Sequence, residues 1–289
     1  MTILYALLAA FSNALNVTTQ HKASISNPQK VRGWRLIPYL FTNPLWLFGW
    51  VALAGAFLFQ ALALHNGQLS VVQPLLVTEL VFALVLRRLW IHQEIRSITW
   101  WAAAFTCVSL AIFVAMSEPQ GGNASPSSDA WIAASAAAVG MTVVLALLGM
   151  RGSPGRRAAL LASATAIMWA LVATFIKTTT ETLSQFGLSG MFVHWPVYAL
   201  AAAGLAAAVL NQVTLHVGPL SVSQPFLVIV DPIASIALSV WIFGEYFTAN
   251  APRTTLAALS FVGMCAAVTV LTRTAPGTME SMNVSAEAA

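Results

Sequence analysis

Residues 67–94 read GQLSVVQPLLVTELVFALVLRRLWIHQE, and residues 218–245 read GPLSVSQPFLVIVDPIASIALSVWIFGE. The second stretch follows the first at a constant offset of 151 residues, without a gap. From His65/His216 to Glu94/Glu245, 13 of 30 aligned positions are identical, where a shared apolar composition alone would give about three. The matches include Gly67/Gly218, Ser70/Ser221, Gln73/Gln224, Pro74/Pro225, Trp90/Trp241 and Glu94/Glu245. The chain is therefore an internal duplication, and the rest of the sequence is organised around its two copies.

Composition sets the environment. Hydrophobic residues make up 58% of the chain and charged residues 8%, with a mean hydropathy of +0.79. A soluble domain carries about a quarter charged residues, so this composition points to a polytopic membrane protein. In lipid the backbone must satisfy its own hydrogen bonds, which leaves helices or a closed barrel. The apolar runs are about 20 residues long and do not alternate, which selects helices. The expected fold is all-α, with nine transmembrane helices near 2–20, 45–64, 70–91, 97–116, 129–150, 157–177, 196–214, 221–243 and 253–272. Ten is the alternative, with the extra helix in 24–42. The amphipathic segment Val31–Thr42 is too short to span and reads as interfacial. Residues 2–20 lack a basic region followed by a cleavage site and read as a retained helix.

Four regions follow: a first repeat over 1–116, an external loop and connecting helix over 117–150, a second repeat over 151–272, and a disordered cytoplasmic tail over 273–289. The net charge of +4 reads as topology rather than as a nucleic-acid surface. With the N-terminus outside, the inside loops hold Lys22, Lys30, Arg32, Arg35, Arg87, Arg88, Arg96, Arg151, Arg156, Arg157 and Arg273, and the outside loops only Lys177 and Arg253. That bias places the chain in the cell (inner) membrane with a cytoplasmic C-terminus. Corresponding helices of the copies are five apart, an odd number, so the two repeats are expected to be inverted. Inverted repeats suit secondary transporters, because two similar halves that exchange conformations open a midplane site to alternate sides.

Candidate site residues come from the polar positions inside these spans. Glu79 lies near the centre of the third span and Asp231, followed by Pro232, near the centre of the eighth. A charge at the bilayer centre costs at least about 2.5–3.5 kcal/mol, so each acid must pair, bind a proton or face water. A proton or cation site and a neutral hydrogen-bonded acid are both open. Pro232 also frees the carbonyl of Val228. Ser70-x-x-Gln73 and Ser221-x-x-Gln224 fit a capping box before an apolar helix, with Pro74 and Pro225 in the first turn. The same helix starts, with Gln73 and Gln224, read alternatively as cavity-facing ends that bind a polar or anionic group. Asn13, Asn16 and Gln20 share one helix face, and Gln60 corresponds to Asn211. These four, Asn13, Asn16, Gln60 and Asn211, join the candidate lining, with interhelical hydrogen bonding as the alternative. Glu94 and Glu245 read as structural acids at span ends, solvated or paired with Arg96 and Arg253, and Lys177 as a snorkelling residue. Cys107 and Cys265 lie in apolar runs with no ligand at metal spacing. No nucleotide-binding loop, G-x-S-x-G or H-E-x-x-H occurs, so neither an ATP-driven pump nor an enzyme is expected, and no cofactor is implied.

The duplicated stretch resembles the drug/metabolite transporter superfamily (EamA-like). Ala63-Leu64 before the turn, Pro74/Pro225 early in the next helix and Gly244-Glu245 at the end of the eighth span carry the resemblance, which covers nearly the whole chain. In the first copy Gly-Glu is replaced by Gln93-Glu94, and the superfamily's usual ten helices contrast with nine here. A looser similarity is to the branch with magnesium-transporter-like proteins. The resemblance implies a carrier of a small molecule or ion. Mg²⁺ transport is a second reading, in which Glu79 and Asp231 would supply two carboxylates of an ion that keeps much of its water. A non-transporting membrane scaffold for lipid or cell-wall assembly is the competing class. The expected partners are the lipid bilayer and a small-molecule or ion substrate, with no nucleic acid; a homodimer is compatible with all three readings.

Overall fold

The computed structural model describes residues 1–25, 43–123, 126–217, 219–248 and 250–274. The interfacial segment Val31–Thr42, nearly all of the alternative tenth span and the tail beyond Thr274 fall outside the described residues. Among those described, nine helices are long and apolar enough to cross a membrane. They are α1 Thr2–Ile25, α2 Pro44–Asn66, α3 Leu69–Ile91, α4 Ser97–Ser117, α5 Ser128–Gly149, α6 Pro154–Met191, α7 Pro196–Val217, α8 Leu220–Phe243 and α9 Ala251–Thr274. Apolar side chains such as Val51, Leu58, Val144, Leu147, Leu205 and Leu259 stand exposed on the outside of the bundle, as lipid-facing positions require. The protein is an all-α, multi-pass membrane protein.

Helix pairing repeats along the chain. α1 packs most heavily on α2 and also meets α3; α6 packs equally on α7 and α8. Between the halves, α3 packs on α8 and α4 on α9. Corresponding helices of the duplication thus sit against one another. Close approach depends on small residues. Alanines 6, 9, 10 and 14 of α1 are buried, and at Gly49 of α2 an added Cβ would lie 2.8 Å from Thr19 Oγ1 of α1. α6 is the most buried span and α7 the least.

Two helices depart from the expected outline. α3 is broken. Its first piece, Leu69–Leu76, contains Pro74 and ends in a tight turn at Val77–Thr78, after which Glu79–Leu86 resumes the helix. In that turn the amides of Val77 and Thr78 bond the carbonyls of Pro74 and Leu75, three residues back, and Thr78 Oγ1 donates to Leu75 O at 2.7 Å. Glu79 therefore begins a new helical segment inside the span. α3 closes in a π-helical turn, Arg87–Ile91, with His92 in the left-handed conformation. α8 keeps its helix across both Pro225 and Pro232.

α6 is a correction to the expected span over 157–177. It runs for 38 residues, Pro154–Met191, with non-helical angles at Gly187. At about 1.5 Å per residue this is far longer than a hydrocarbon core of about 30 Å requires; the helix stays packed through Thr182, and residues 183–189 stand exposed beyond it. A short antiparallel ribbon, β1 Pro119–Gln120 with β2 Tyr246–Phe247, ties the segment after α4 to the segment after α8 at the same end of the bundle. Arg253 forms an ion pair with Glu118 there.

Candidate functional site

The acids at mid-span lie on α3 and α8, which pack together through the first piece of α3. Glu79 starts the second piece of α3, and Asn13 Nδ2 of α1 donates to its Oε2. Asp231 sits on α8, where Ser235 Oγ, one turn on, donates to Oδ1 at 3.3 Å. The two carboxylates lie within electrostatic reach of each other. Each residue is half-buried overall, and the carboxyl groups themselves are buried within the bundle. The break after Pro74 and the proline after Asp231 place loosened backbone beside both groups.

The other sequence candidates divide. Asn16 is buried and accepts from Gln20 Nε2 at 2.7 Å, so this pair serves α1 itself. Gln73 is 3% exposed and its Nε2 has no partner. A buried, unpaired amide is costly, and this one lies in the same helix as Glu79, toward the end that carries Glu245. Ser223 Oγ of α8 is likewise buried and unpaired. Gln60, Asn211 and Gln224 are half-buried, and no hydrogen bond joins them to Glu79 or Asp231 among the described residues. The structure thus joins Asn13 to Glu79, with Asp231 within electrostatic reach, and leaves Gln60, Asn211 and Gln224 as separate polar positions.

A second cluster lies at the end of the bundle where α3 begins and α8 ends. Gly244, at φ 63°, turns the chain in the left-handed conformation that favours glycine. The turn sends Glu245 inward, where it is 1% exposed. Its carboxylate accepts from the amides of Leu69 and Ser70 at 3.0 and 3.1 Å and from Ser70 Oγ at 2.7 Å. Lys177 Nζ of α6 donates to Oε1 at 2.8 Å and lies 4.6 Å from the centre of the Phe243 ring. Burial pushes the Glu245 carboxyl up, but the adjacent Lys177 ammonium and the bonds from Lys177 and Ser70 outweigh it and hold the group below its ordinary value.

This cluster corrects three expectations. Ser70 and Gln73 do not form a capping box: the N-cap is Gln68, without a side-chain cap bond, and the carboxylate that serves the first turn comes from Glu245. Glu245 is not a solvated partner of Arg253, which pairs with Glu118 instead. Lys177 does not snorkel to the interface, because its ammonium is held by Glu245. The recurrence of Ser70/Ser221 and Glu94/Glu245 was the sequence signal for this cluster, and Lys177, isolated after a long apolar run, was the second.

Two cavities open above the cluster. One, of about 280 Å³, is bordered by His65, Gln68, Asn123, Lys177, Glu181 and Phe243. The other, of about 640 Å³, shares Thr178 and Glu181 with it and extends along the projecting part of α6 to Trp131, Gln185 and Trp195. His65 Nδ1 lies 3.6 Å from Glu181 Oε2 across the first cavity. Trp131, Phe175, Trp195 and Phe243 form a ring cluster with centroids 5.2–6.0 Å apart beneath the second. Neither cavity reaches Glu79 or Asp231; the Lys177–Glu245–Ser70 cluster borders the smaller one. Among the described residues no group of three or more His, Cys, Asp or Glu could hold a metal ion, and Cys107 and Cys265 are free thiols.

Bilayer-length helices around buried polar groups define the class: a multi-pass helical membrane protein with ionisable side chains inside its spans. The chain is similar to an uncharacterized protein of Corynebacterium glutamicum, 27% identical over 249 residues that cover 86% of each chain. No family model matches the sequence, and no solved structure matches it.

Proposed function

We propose that this protein is a secondary transporter of the drug/metabolite type, moving a small metabolite or ion by alternating access of two inverted repeats, with proton coupling through Glu79 and Asp231. The observation that carries the reading is the placement of these acids. They sit at mid-span on α3 and α8, the corresponding helices of the duplication, which pack against each other. Their carboxyl groups are buried in the bundle and lie within electrostatic reach of each other. Intramembrane acids in such positions mark ion or proton paths. The unpaired Gln73 amide on the same helix supplies a donor that a polar substrate group could satisfy. Symmetry agrees: α3 begins where α8 ends, as an inverted pair must, and the same helix pairings recur in both halves.

On this reading the Lys177–Glu245 end faces outside and the Glu94 end the cytoplasm, as the Lys and Arg distribution requires. Mg²⁺ is the second substrate class, favoured by the two neighbouring carboxylates. A thermal-shift screen of purified protein against metabolites and Mg²⁺ across pH tests the proposal. A ligand of the folded state at 100 times its Kd adds about 2.7 kcal/mol of stability. A metabolite that stabilises the wild type but not Glu79→Gln/Asp231→Asn supports proton-coupled transport, and stabilisation by Mg²⁺ alone supports the second class. Full biological function in Glu79→Gln/Asp231→Asn would support the scaffold reading instead.

A further inference from the structure

The cluster around Glu245 has a sequence counterpart at the opposite end of the bundle. Glu94 is the equivalent of Glu245 in the first copy, and Leu220 and Ser221 are the equivalents of Leu69 and Ser70. At the start of α3, the amides of Val71 and Val72 bond the carbonyl of Gln68, which leaves those of Leu69 and Ser70 for Glu245. The start of α8 is built the same way. The amides of Val222 and Ser223 bond the carbonyl of Pro219, and among the described residues no side chain accepts from Leu220 or Ser221. Glu94 stands exposed after α3, without an ion pair or a side-chain hydrogen bond among the described residues.

A cation is in place as well. Lys177 lies on the first helix of the second repeat. Lys22 lies near the end of α1, the first helix of the first repeat, where Nζ donates to Trp90 O at 3.2 Å and sits 6.0 Å from the centre of the Trp90 ring. Each lysine is thus beside the closing turn of the third helix in its own repeat. One set of residues is assembled around a buried carboxylate, and the equivalent set at the far end is complete in composition but apart.

We propose that these are two alternating latches. In the structure the Lys177–Glu245 latch is closed on the start of α3. In the opposite conformation it opens, and Glu94 closes on the amides of Leu220 and Ser221, with Lys22 taking the place of Lys177. This rests on the alternating-access reading above and assigns the residues that hold each end shut. The differing turns fit the asymmetry: Gly244 is the left-handed residue before Glu245, whereas His92, one position earlier in the repeat, is the left-handed residue before Glu94. The acid that stands apart is the one without the glycine turn.

The test reads conformation and needs no substrate. Full-length protein carrying Gln73→Cys, with Cys107→Ala and Cys265→Ala, is labelled in oriented vesicles by a membrane-impermeant maleimide added at the Lys177–Glu245 side. Gln73 lies one turn beyond Ser70 and is covered in the closed latch. Glu245→Gln is expected to raise its labelling rate several-fold. Glu94→Ala, which alters only an exposed side chain of the structure seen, is expected to lower it several-fold. If Glu245→Gln raises labelling and Glu94→Ala leaves it unchanged, the second latch is wrong while alternating access stands. If neither variant changes it, alternating access itself fails. Because Glu245→Gln also removes one member of a buried ion pair, a second measurement uses Glu94→Cys with Ser221→Cys and a short thiol-reactive bifunctional cross-linker, with Ser70→Cys/Glu245→Cys as the closed-latch control. Bridging of both pairs supports the exchange; bridging of the control pair alone overturns it.

Discussion

Lys177→Met is expected to lower the unfolding free energy by about 3–5 kcal/mol, the usual cost of removing one member of a buried ion pair. The ammonium is the only countercharge in contact with a carboxylate that is 1% exposed among the described residues, and methionine keeps the length of the side chain while removing the charge. The amides of Leu69 and Ser70 would remain, but they are dipoles and do not neutralise the group. Glu245→Gln should cost less, because an amide oxygen can still accept from those donors, and the Lys177 ammonium it leaves without a countercharge is 17% exposed and borders the smaller cavity, where water reaches it. The pH dependence has a defined sign. Glu245 is held below its ordinary 4.5 in the folded protein. Its contribution is therefore complete above that value and is lost as pH falls through the folded value. The difference in melting temperature between wild type and Glu245→Gln should be full at pH 7 and shrink only in acid below 4.5. A constant difference down to strong acid would mean that the carboxylate is not held by its charge.

Asp231→Asn is expected to reduce proton-coupled flux in proteoliposomes to that of empty vesicles, while raising thermal stability by about 0.5–2 kcal/mol. Asparagine keeps an oxygen for the Ser235 hydroxyl, so the local hydrogen bond survives. It cannot gain or lose a proton, and it removes the cost of an ionisable group at mid-span. The combination separates two roles for the residue. A structural acid would lose stability on substitution; a coupling acid loses transport and gains stability. Glu79→Gln should behave alike in flux, but its stability gain should be smaller, because the amide must share hydrogen-bond directions with Asn13.

The spans were legible because hydropathy and length are local properties. The duplication was legible because identical residues recur at a fixed offset. What escaped was whatever depended on the other end of the chain. Ser70-x-x-Gln73 is a sound capping box as a local motif, yet Glu245, 175 residues away from Ser70, takes that place. Glu79 and Asn13 were both conspicuous singly, but their hydrogen bond spans 66 positions. The extension of α6 was hidden for a different reason. The run Thr178–Thr182 is polar and β-branched, which reads as a loop. In the structure Thr178, Thr180 and Thr182 turn their hydroxyls back onto the carbonyls of Thr174, Ile176 and Thr178 at 2.8–3.2 Å, so their polarity is absorbed within the helix.

The central claim is that the acid pair at mid-span is reached by water from each side in turn. Asn13→Cys, beside Glu79, in a Cys107→Ala/Cys265→Ala background, measures this directly when a charged methanethiosulfonate is applied to right-side-out and to inverted vesicles. The account predicts reaction from both faces, abolished from the Lys177–Glu245 face when Ser70→Cys/Glu245→Cys is bridged beforehand. Reaction from neither face, or from one face alone under all conditions, would contradict it.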